Sequence, residues 1–403
     1  MSQQRVDKLR LLVVGLRWPP ETFLARLVRG LSERGVRVTL AISNKPADST
    51  LSNTNIDIMI VPGWEGSAVS RLWRTGLRLG GAALRSADET RHLYDKARAT
   101  SSGSRSIERL HRWLPFAGRE WDVLYIPWNS TAVDYLPLME LRPSVISCRG
   151  SHINVAPLNP RRTGLRDGLP LTFDKASAVH CVSEAIREEA IQYGLDRAKS
   201  IVIRPAIDPD MFRPPTEGER PNDGRFRVVS TGTITWHKGY EYALSVVRRL
   251  VDLGVPVQYD IIGRGPETQR LLYTIQDLHL DEYVVWHGKL PPGDVRVRLQ
   301  QADAFLLSSL SEGISNAALE AMACELPVVT TDVGGMSEAV TDGVEGFLVP
   351  SLDAKAMAGA LERLWRDPKL RQAMGVAGRA RILRDFRLDD QVDAFVDLFR
   401  SVA

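Results

Sequence analysis

Two glutamates, Glu312 and Glu320, are separated by seven residues in the run Ser311-Glu312-Gly313-Ile314-Ser315-Asn316-Ala317-Ala318-Leu319-Glu320-Ala321-Met322-Ala323. Gly313 permits a tight turn, and Ser315 or Asn316 can cap the helix that follows. A helix N-terminus entered from a glycine-containing loop is an anion site. Carboxylates beside it accept hydrogens from sugar and ribose hydroxyls. The pattern therefore suits a nucleotide sugar, with the diphosphate on the helix end and the hydroxyls on Glu312 and Glu320.

Two more loops carry phosphate chemistry. Gly232-Thr233-Ile234-Thr235-Trp236-His237-Lys238-Gly239 offers Lys238 as a point charge for a diphosphate. Gly334-Gly335 offers a close backbone approach. Gly263-Arg264-Gly265 imitates the start of a dinucleotide fingerprint, but the third glycine is missing, which argues against a dehydrogenase. Asp208-Pro209-Asp210 has the Asp-x-Asp form of metal-dependent sugar transferases. It lies in a proline-rich stretch and reads as a turn, so no metal and no other cofactor is expected.

These loops need strands and helices to hold them. Residues 9–16 read as a buried strand, 22–34 have apolar residues at helical spacing, and 36–42 read as the next strand. This β-α-β start implies a parallel sheet with crossover helices. Strand character returns at 123–126, 144–148, 178–182 and 201–203, with a helix over 183–193. Residues 205–224 contain five prolines and read as a linker. A second series follows, with strands at 227–232, 258–263, 283–286, 304–308, 327–331 and 346–349 and helices between. The fold class is α/β: two Rossmann-like, doubly wound parallel-sheet domains facing a cleft, with ligand at the strand C-termini of the second. The expected division is 1–206, with a helical insertion over 64–118, then 207–385, then a helix over 386–403 that packs back on the first domain.

A chain of 403 residues, 44% hydrophobic and 25% charged, supports two cores. A net charge of +3 is too small to imply nucleic acid. Cys148, Cys181 and Cys324 form neither a disulfide framework nor a zinc spacing and read as buried thiols. Residues 1–10 are polar, and no later run reaches about 18 apolar residues, so a cytoplasmic protein without a membrane span is expected.

On these residues the chain resembles the retaining glycosyltransferases of family 4, also called glycosyltransferase group 1, which have the GT-B fold. The paired Glu312 and Glu320 match, as do Glu320-Ala321-Met322-Ala323, Pro327-Val328-Val329, Gly334-Gly335 and Glu338. Pro20-Glu21-Thr22-Phe23, Ile207-Asp208 and Phe212-Arg213-Pro214 resemble members that build bacterial lipopolysaccharide or exopolysaccharide. The resemblance implies transfer of a hexose-type sugar, with retention, to a glycan or lipid-linked acceptor in cell-surface polysaccharide biosynthesis. It implies that Lys238 contacts the diphosphate and that Glu320 holds the ribose. Glu312 with Gly313, Ile314, Ser315 and Asn316 would touch the transferred sugar and phosphates. The base would lie near Gly263, Arg264 and Gly265 and near His287-Gly288-Lys289-Leu290, and Gly232 and Thr233 would line the donor loop. Glu21, Thr22 and His152 fall on the acceptor side. The leaving diphosphate would help deprotonate the acceptor hydroxyl.

Two positions depart from the family. Thr233 stands where an arginine is usual, and Arg149, in Arg149-Gly150-Ser151-His152, stands where His-Gly is common. Arg204, His237 or Arg149 would then supply the missing charge, which adds Arg149 to Glu312 and Lys238 as a catalytic residue. Two other readings share the fold: a nucleotide-sugar epimerase, which would show no acceptor dependence, and a catalytically silent nucleotide-sugar-binding subunit. A glycogen- or sucrose-type transferase is a milder variant.

Residues 71–119 carry eleven Lys/Arg against four Asp/Glu, interleaved with Leu72, Trp73, Leu77, Leu79 and Trp113 and preceded by Trp64. Such a stretch suits an anionic membrane surface or a plain solvated insertion. The membrane reading predicts peripheral association with the inner face of the cytoplasmic membrane.

Overall fold

The computed structural model describes residues 8–44, 55–61, 63–101, 103–162, 164–216, 221 and 223–403. The polar segment 1–7 and residues 217–220 and 222 of the expected linker lie outside them. The chain divides into two compact units. The first comprises Met1–Cys181, Arg187–Ile203 and Val392–Ala403, and the second Val182–Ile186 and Arg204–Gln391.

Among the described residues, the first unit holds β1 (Arg10–Val13), β2 (Arg37–Ile42), β3 (Ile56–Ile60), β4 (Val123–Ile126), β5 (Ser144–Cys148), β6 (Ala178–Cys181) and β7 (Ser200–Val202). They pair in parallel in the order β3-β2-β1-β4-β5-β6-β7. β4, β5 and β6 are buried along their whole length, as expected of strands covered on both faces. Helix α1 (Thr22–Glu33) turns Leu24, Leu27, Val28 and Leu31 inward. Residues between β3 and β4 form α2 (Ala68–Arg85), α3 (Ala87–Thr100) and α4 (Ser104–Trp113). Ser67 caps α2 by accepting from the Ser70 N–H, and Ser86 caps α3 by accepting from the Glu89 N–H.

Strand β3 is absent from the sequence expectation. Its apolar run is interrupted by Asp57, which pairs with Arg37 of β2 at 2.9 Å. β3 is an edge strand, and a charge there blunts further pairing.

The second unit holds β8 (Phe226–Thr231), β9 (Val257–Ile262), β10 (Val284–Gly288), β11 (Ala304–Leu307), β12 (Val328–Thr331) and β13 (Gly346–Val349), all parallel, in the order β10-β9-β8-β11-β12-β13. Two apolar clusters build its core. One gathers Leu244 and Val247 of α5 (Tyr240–Asp252) with Leu361. The other gathers Leu319 and Met322 of α6 (Asn316–Ala323) with Phe305 and Phe386.

Helix α7 (Leu388–Val402) starts in the second unit, and from Val392 it belongs to the first. There Phe395 and Phe399 are fully buried and meet the Tyr125 ring edge-on, with centroids at 5.9 and 5.2 Å. Phe395 also packs on His180 at 4.7 Å. Truncating a buried phenylalanine of this kind to alanine costs about 3–5 kcal/mol. The first unit therefore ends at Ile203 rather than at 206, and it is completed by the last twelve residues.

Candidate functional site

In each sheet the strand order reverses once, between β8 and β11 and between β1 and β4. Open α/β sheets bind ligands beyond the strand C-termini at such a switch point. In the second unit the loops leaving β8 and β11 carry Lys238 and Glu312. Lys238 Nζ lies 2.5 Å from Glu312 Oε1, and both side chains are largely sequestered. Ser309 Oγ, fully buried, donates to the same oxygen at 2.7 Å. Ser309 is braced in turn by Thr331, whose hydroxyl donates to its carbonyl at 2.6 Å. The Ser308 hydroxyl donates to the Gly239 carbonyl at 2.8 Å, and the Leu310 N–H donates to the His237 carbonyl at 2.7 Å. The two loops are thus tied backbone to backbone around one charge pair.

Glycines let neighbouring loops reach this closeness. Gly263 has φ 149°, and a Cβ there would sit 1.8 Å from the Gly232 carbonyl oxygen. At Gly265 a Cβ would fall 2.1 Å from the Ile234 carbonyl oxygen. Gly334, at φ 57°, passes the Glu312 carbonyl so closely that a Cβ would lie 2.0 Å from it. The expected phosphate approach at Gly334-Gly335 needs correction here. The Gly335 N–H already donates to the Gly313 carbonyl at 2.6 Å, so this pair braces the Glu312 loop.

Ser315 caps α6, its hydroxyl accepting the Ala318 N–H at 3.4 Å. Asn316 opens the helix with its Oδ1 buried and without a hydrogen-bond partner. Ile314 is in the apolar core, so its side chain is not available to a ligand and only its backbone is. Glu320 lies one turn into α6, half-buried. Burial pushes the Cys324 thiol up to about 12, and the charge of Glu320 adds to the shift. Thr233 and Lys289 are exposed, and Leu290 packs against the core. Arg264 lies over the Trp286 ring at 5.9 Å, while the Trp286 indole N–H donates to the Gly263 carbonyl at 2.8 Å.

Of the three groups expected to replace an arginine at 233, two are otherwise engaged. Arg204 pairs with Glu338 at 3.1 Å. Burial lowers the His237 pKa, and the neighbouring Lys238 charge lowers it further, so this ring is no cation near neutrality. Asp208 caps its own turn, one oxygen accepting from the N–H groups of Asp210 and Met211 at 3.0 Å.

The third group, Arg149, is at the C-terminal end of β5 in the first unit. It is only 8% exposed, lies over the Phe23 ring at 4.7 Å, and keeps its Nε without a partner. Phe23 meets Trp128 edge-on at 5.7 Å, and Trp128 stacks on His152 at 4.3 Å. The Ser130 hydroxyl holds His152 Nδ1 at 2.6 Å. Burial above all, then the charges of Arg162, Arg149 and Arg17, take the His152 pKa down to about 4. Glu21 and Thr22 are exposed at the start of α1.

Behind Arg149 runs a buried chain that sequence reasoning missed. The His180 Nε2–H donates to the Ile203 carbonyl at 2.8 Å, because a carbonyl can only accept. His180 Nδ1 must then accept from the Ser147 hydroxyl at 2.7 Å. Ser147 accepts from the Tyr125 hydroxyl at 2.8 Å, and Tyr125 accepts from Arg149 Nη2 at 3.3 Å. Burial, helped by the Arg149 charge, lowers the His180 pKa to about 3, which keeps the ring neutral and the chain one-directional. The available sequence signal was a polar residue within each of three adjacent apolar strands.

The two parallel sheets and their switch points define a GT-B architecture. A solved structure with the same fold is Anabaena Alr3699/HepE in complex with UDP and glucose, with a TM-score of 0.73 and 17% identity over 98% of this chain and 100% of that one. The model for glycosyl transferases group 1 matches residues 216–381, and that for the glycosyl transferase 4-like domain matches residues 20–206. The chain belongs to the glycosyltransferase group 1 family, with a glycosyltransferase 4-like N-terminal half. Among curated relatives it is 35% identical over 166 residues to a putative colanic acid biosynthesis glycosyltransferase, WcaL, of Salmonella typhimurium, covering 40% of this chain and 41% of that protein. It is 31% identical over 223 residues to the amylovoran biosynthesis glycosyltransferase AmsK of Erwinia amylovora, covering 54% of each. The matched stretch thus spans about two fifths to one half of the length of these relatives.

Proposed function

We propose that this protein is a retaining glycosyltransferase that moves a hexose-type sugar from a nucleoside-diphosphate sugar to a hydroxyl of a glycan or lipid-linked acceptor in exopolysaccharide assembly. The observation that carries this reading is the Lys238–Glu312 pair, fixed by Ser309 at the switch point of the second sheet. A donor diphosphate entering here meets Lys238, whose charge then serves the phosphates as negative charge grows on the leaving group. Glu312 accepts from sugar hydroxyls, the backbone at Gly313 and Ile314 approaches the phosphates, and Glu320 holds the ribose. The departing diphosphate takes the proton of the acceptor hydroxyl, so the protein contributes positioning and charge rather than a nucleophile. With Lys238 supplying charge and Asp208 committed to its own turn, the reaction proceeds without a divalent metal: chelation by EDTA leaves turnover unchanged.

The relatives named for colanic acid and amylovoran biosynthesis support a polysaccharide acceptor. The complex of HepE with UDP and glucose supports a UDP sugar as the first donor to try. Arg149 supplies a second cation, at the switch point of the first unit's sheet. An acceptor held on a lipid carrier places the enzyme peripherally on the inner face of the cytoplasmic membrane.

Thermal shift with UDP, GDP, ADP and their sugar conjugates tests the donor site. One nucleotide class raises the midpoint by several degrees at saturation, and Glu320→Ala abolishes the rise. Donor turnover that needs no acceptor would favour the epimerase, and no shift with any nucleotide would overturn the reading.

A further inference from the structure

Helix α2 is an amphipathic helix laid with its apolar face outward. Val69, Leu72, Trp73, Leu77 and Leu84 are 77%, 54%, 67%, 58% and 91% exposed, and Gly76, Gly80 and Ala83 lie exposed between them. These positions recur at the spacing of one helical face. The buried residues of the helix are Thr75 and Ala82.

Its arginines face the protein. Arg78 Nη1 donates to His111 Nε2 at 2.6 Å, and Arg85 donates to the carbonyls of Ala117 and Leu114 at 2.9 and 3.2 Å. Arg74 donates to the Ser70 and Glu65 carbonyls, and Arg71 lies over Trp64 at 5.1 Å. The rest of the basic segment does not share this exposure. Trp113 is buried, with its indole N–H donated to the Asp134 carbonyl at 2.8 Å, and Trp64 rests against His111. The basic, tryptophan-bearing stretch therefore narrows to one helix face.

The geometry points to the outward face of α2 as a docking surface for an anionic lipid bilayer. Five apolar side chains on one face, one of them a tryptophan, suit the boundary between headgroups and acyl chains. The helix carries four arginines and no acidic residue. Those guanidinium groups are anchored on neutral carbonyls, an imidazole and an indole, so their charge remains available to phospholipid headgroups within a Debye length. The same charge disfavours a second copy as the occupant, because α2 against α2 would add four more arginines and still no carboxylate. The proposal deepens the lipid-linked acceptor reading but does not depend on catalysis.

Co-sedimentation with vesicles tests it, using phosphatidylcholine alone and phosphatidylcholine with about a third phosphatidylglycerol. The full chain binds the anionic vesicles and not the neutral ones. Combining Leu72→Gln, Trp73→Gln and Leu77→Gln weakens partitioning roughly tenfold or more and keeps the nucleotide-induced thermal shift. Trp73→Phe retains binding but loses quenching by brominated lipid. No binding to anionic vesicles, binding unchanged in the triple variant, or a dimer that the triple variant disperses would each overturn the proposal. Vesicle binding without any nucleotide shift would remove the transferase reading and leave this one standing.

Discussion

At the switch point of the second sheet a cation and an anion neutralise each other, Lys238 on Glu312 at 2.5 Å. At the switch point of the first sheet, arginine charge gathers around an aromatic stack, and among the described residues no carboxylate pairs with Arg149. The second site is tied by backbone contacts at glycines. The first is held by side chains: Phe23, Trp128 and His152 in front, and Tyr125, Ser147 and His180 behind. Two copies of one architecture thus solve one problem, holding charge at a strand end, by different means. A paired charge is stable without ligand and must be re-partnered on binding. An unpaired buried charge waits for an anion.

Removing the paired cation has the largest expected effect. Lys238→Ala lowers kcat/KM by roughly 10²–10³-fold, the scale of losing one charge-stabilising group. Because it also strands Glu312, Lys238→Met combined with Glu312→Gln restores stability but not turnover, read by steady-state kinetics beside thermal melting. Arg149→Ala comes next, with about a 10²-fold loss. Arg149→Lys recovers part of it, since a lysine keeps the charge but not the planar contact with Phe23. Turnover left intact in Arg149→Ala would sink the catalytic role of the first site.

Acid separates the units by stability. The pKa values of His111, His152 and His180, all in the first unit, fall to about 4, 4 and 3, with burial the first cause in each. The unfolded chain takes up these protons near its ordinary histidine pKa of about 6.5, whereas the folded unit refuses them until much lower pH. Stability from this source is complete above that value and declines as pH falls toward 4. Hydrogen exchange followed from pH 7.5 to 4.5 shows β4, β5 and β6 losing protection before β8, β11 and β12; the reverse order would refute the assignment. The smallest effect belongs to Tyr125→Phe, which deletes one hydroxyl from the chain behind Arg149. It costs about 1–3 kcal/mol of stability and lowers kcat a few-fold with KM unchanged, whereas a purely structural role would leave kcat alone.

Much of this was legible in the sequence because it rests on local rules. Strands such as 123–126 and 346–349 are short apolar runs between turn residues, and their bounds hold in the structure. The loop from Glu312 into α6 was legible because a glycine, a capping serine and a helix follow one another directly. What was not legible depends on register or on which way a face points. Tyr125, Ser147 and His180 are 22 and 33 residues apart and meet only once β4, β5 and β6 pair. Asp57 hid β3 because it broke the apolar run that marked the other strands. Composition marked 71–119 as a basic, tryptophan-bearing stretch, but it could not tell that the arginines of α2 turn inward.

Helix α7 sets the timetable of synthesis. The ring faces of Tyr125 and His180 are covered by Phe395 and Phe399, so the first unit emerges from the ribosome with part of its interior still exposed. The second unit, complete by Gln391, is positioned to fold first, reversing the usual order in which the N-terminal domain leads. Protease challenge of ribosome-bound chains cut before 392 or after 399, each followed by a linker long enough to span the exit tunnel, reads this directly. The earlier chains show a resistant second unit beside a digestible first, and only the later ones resist throughout.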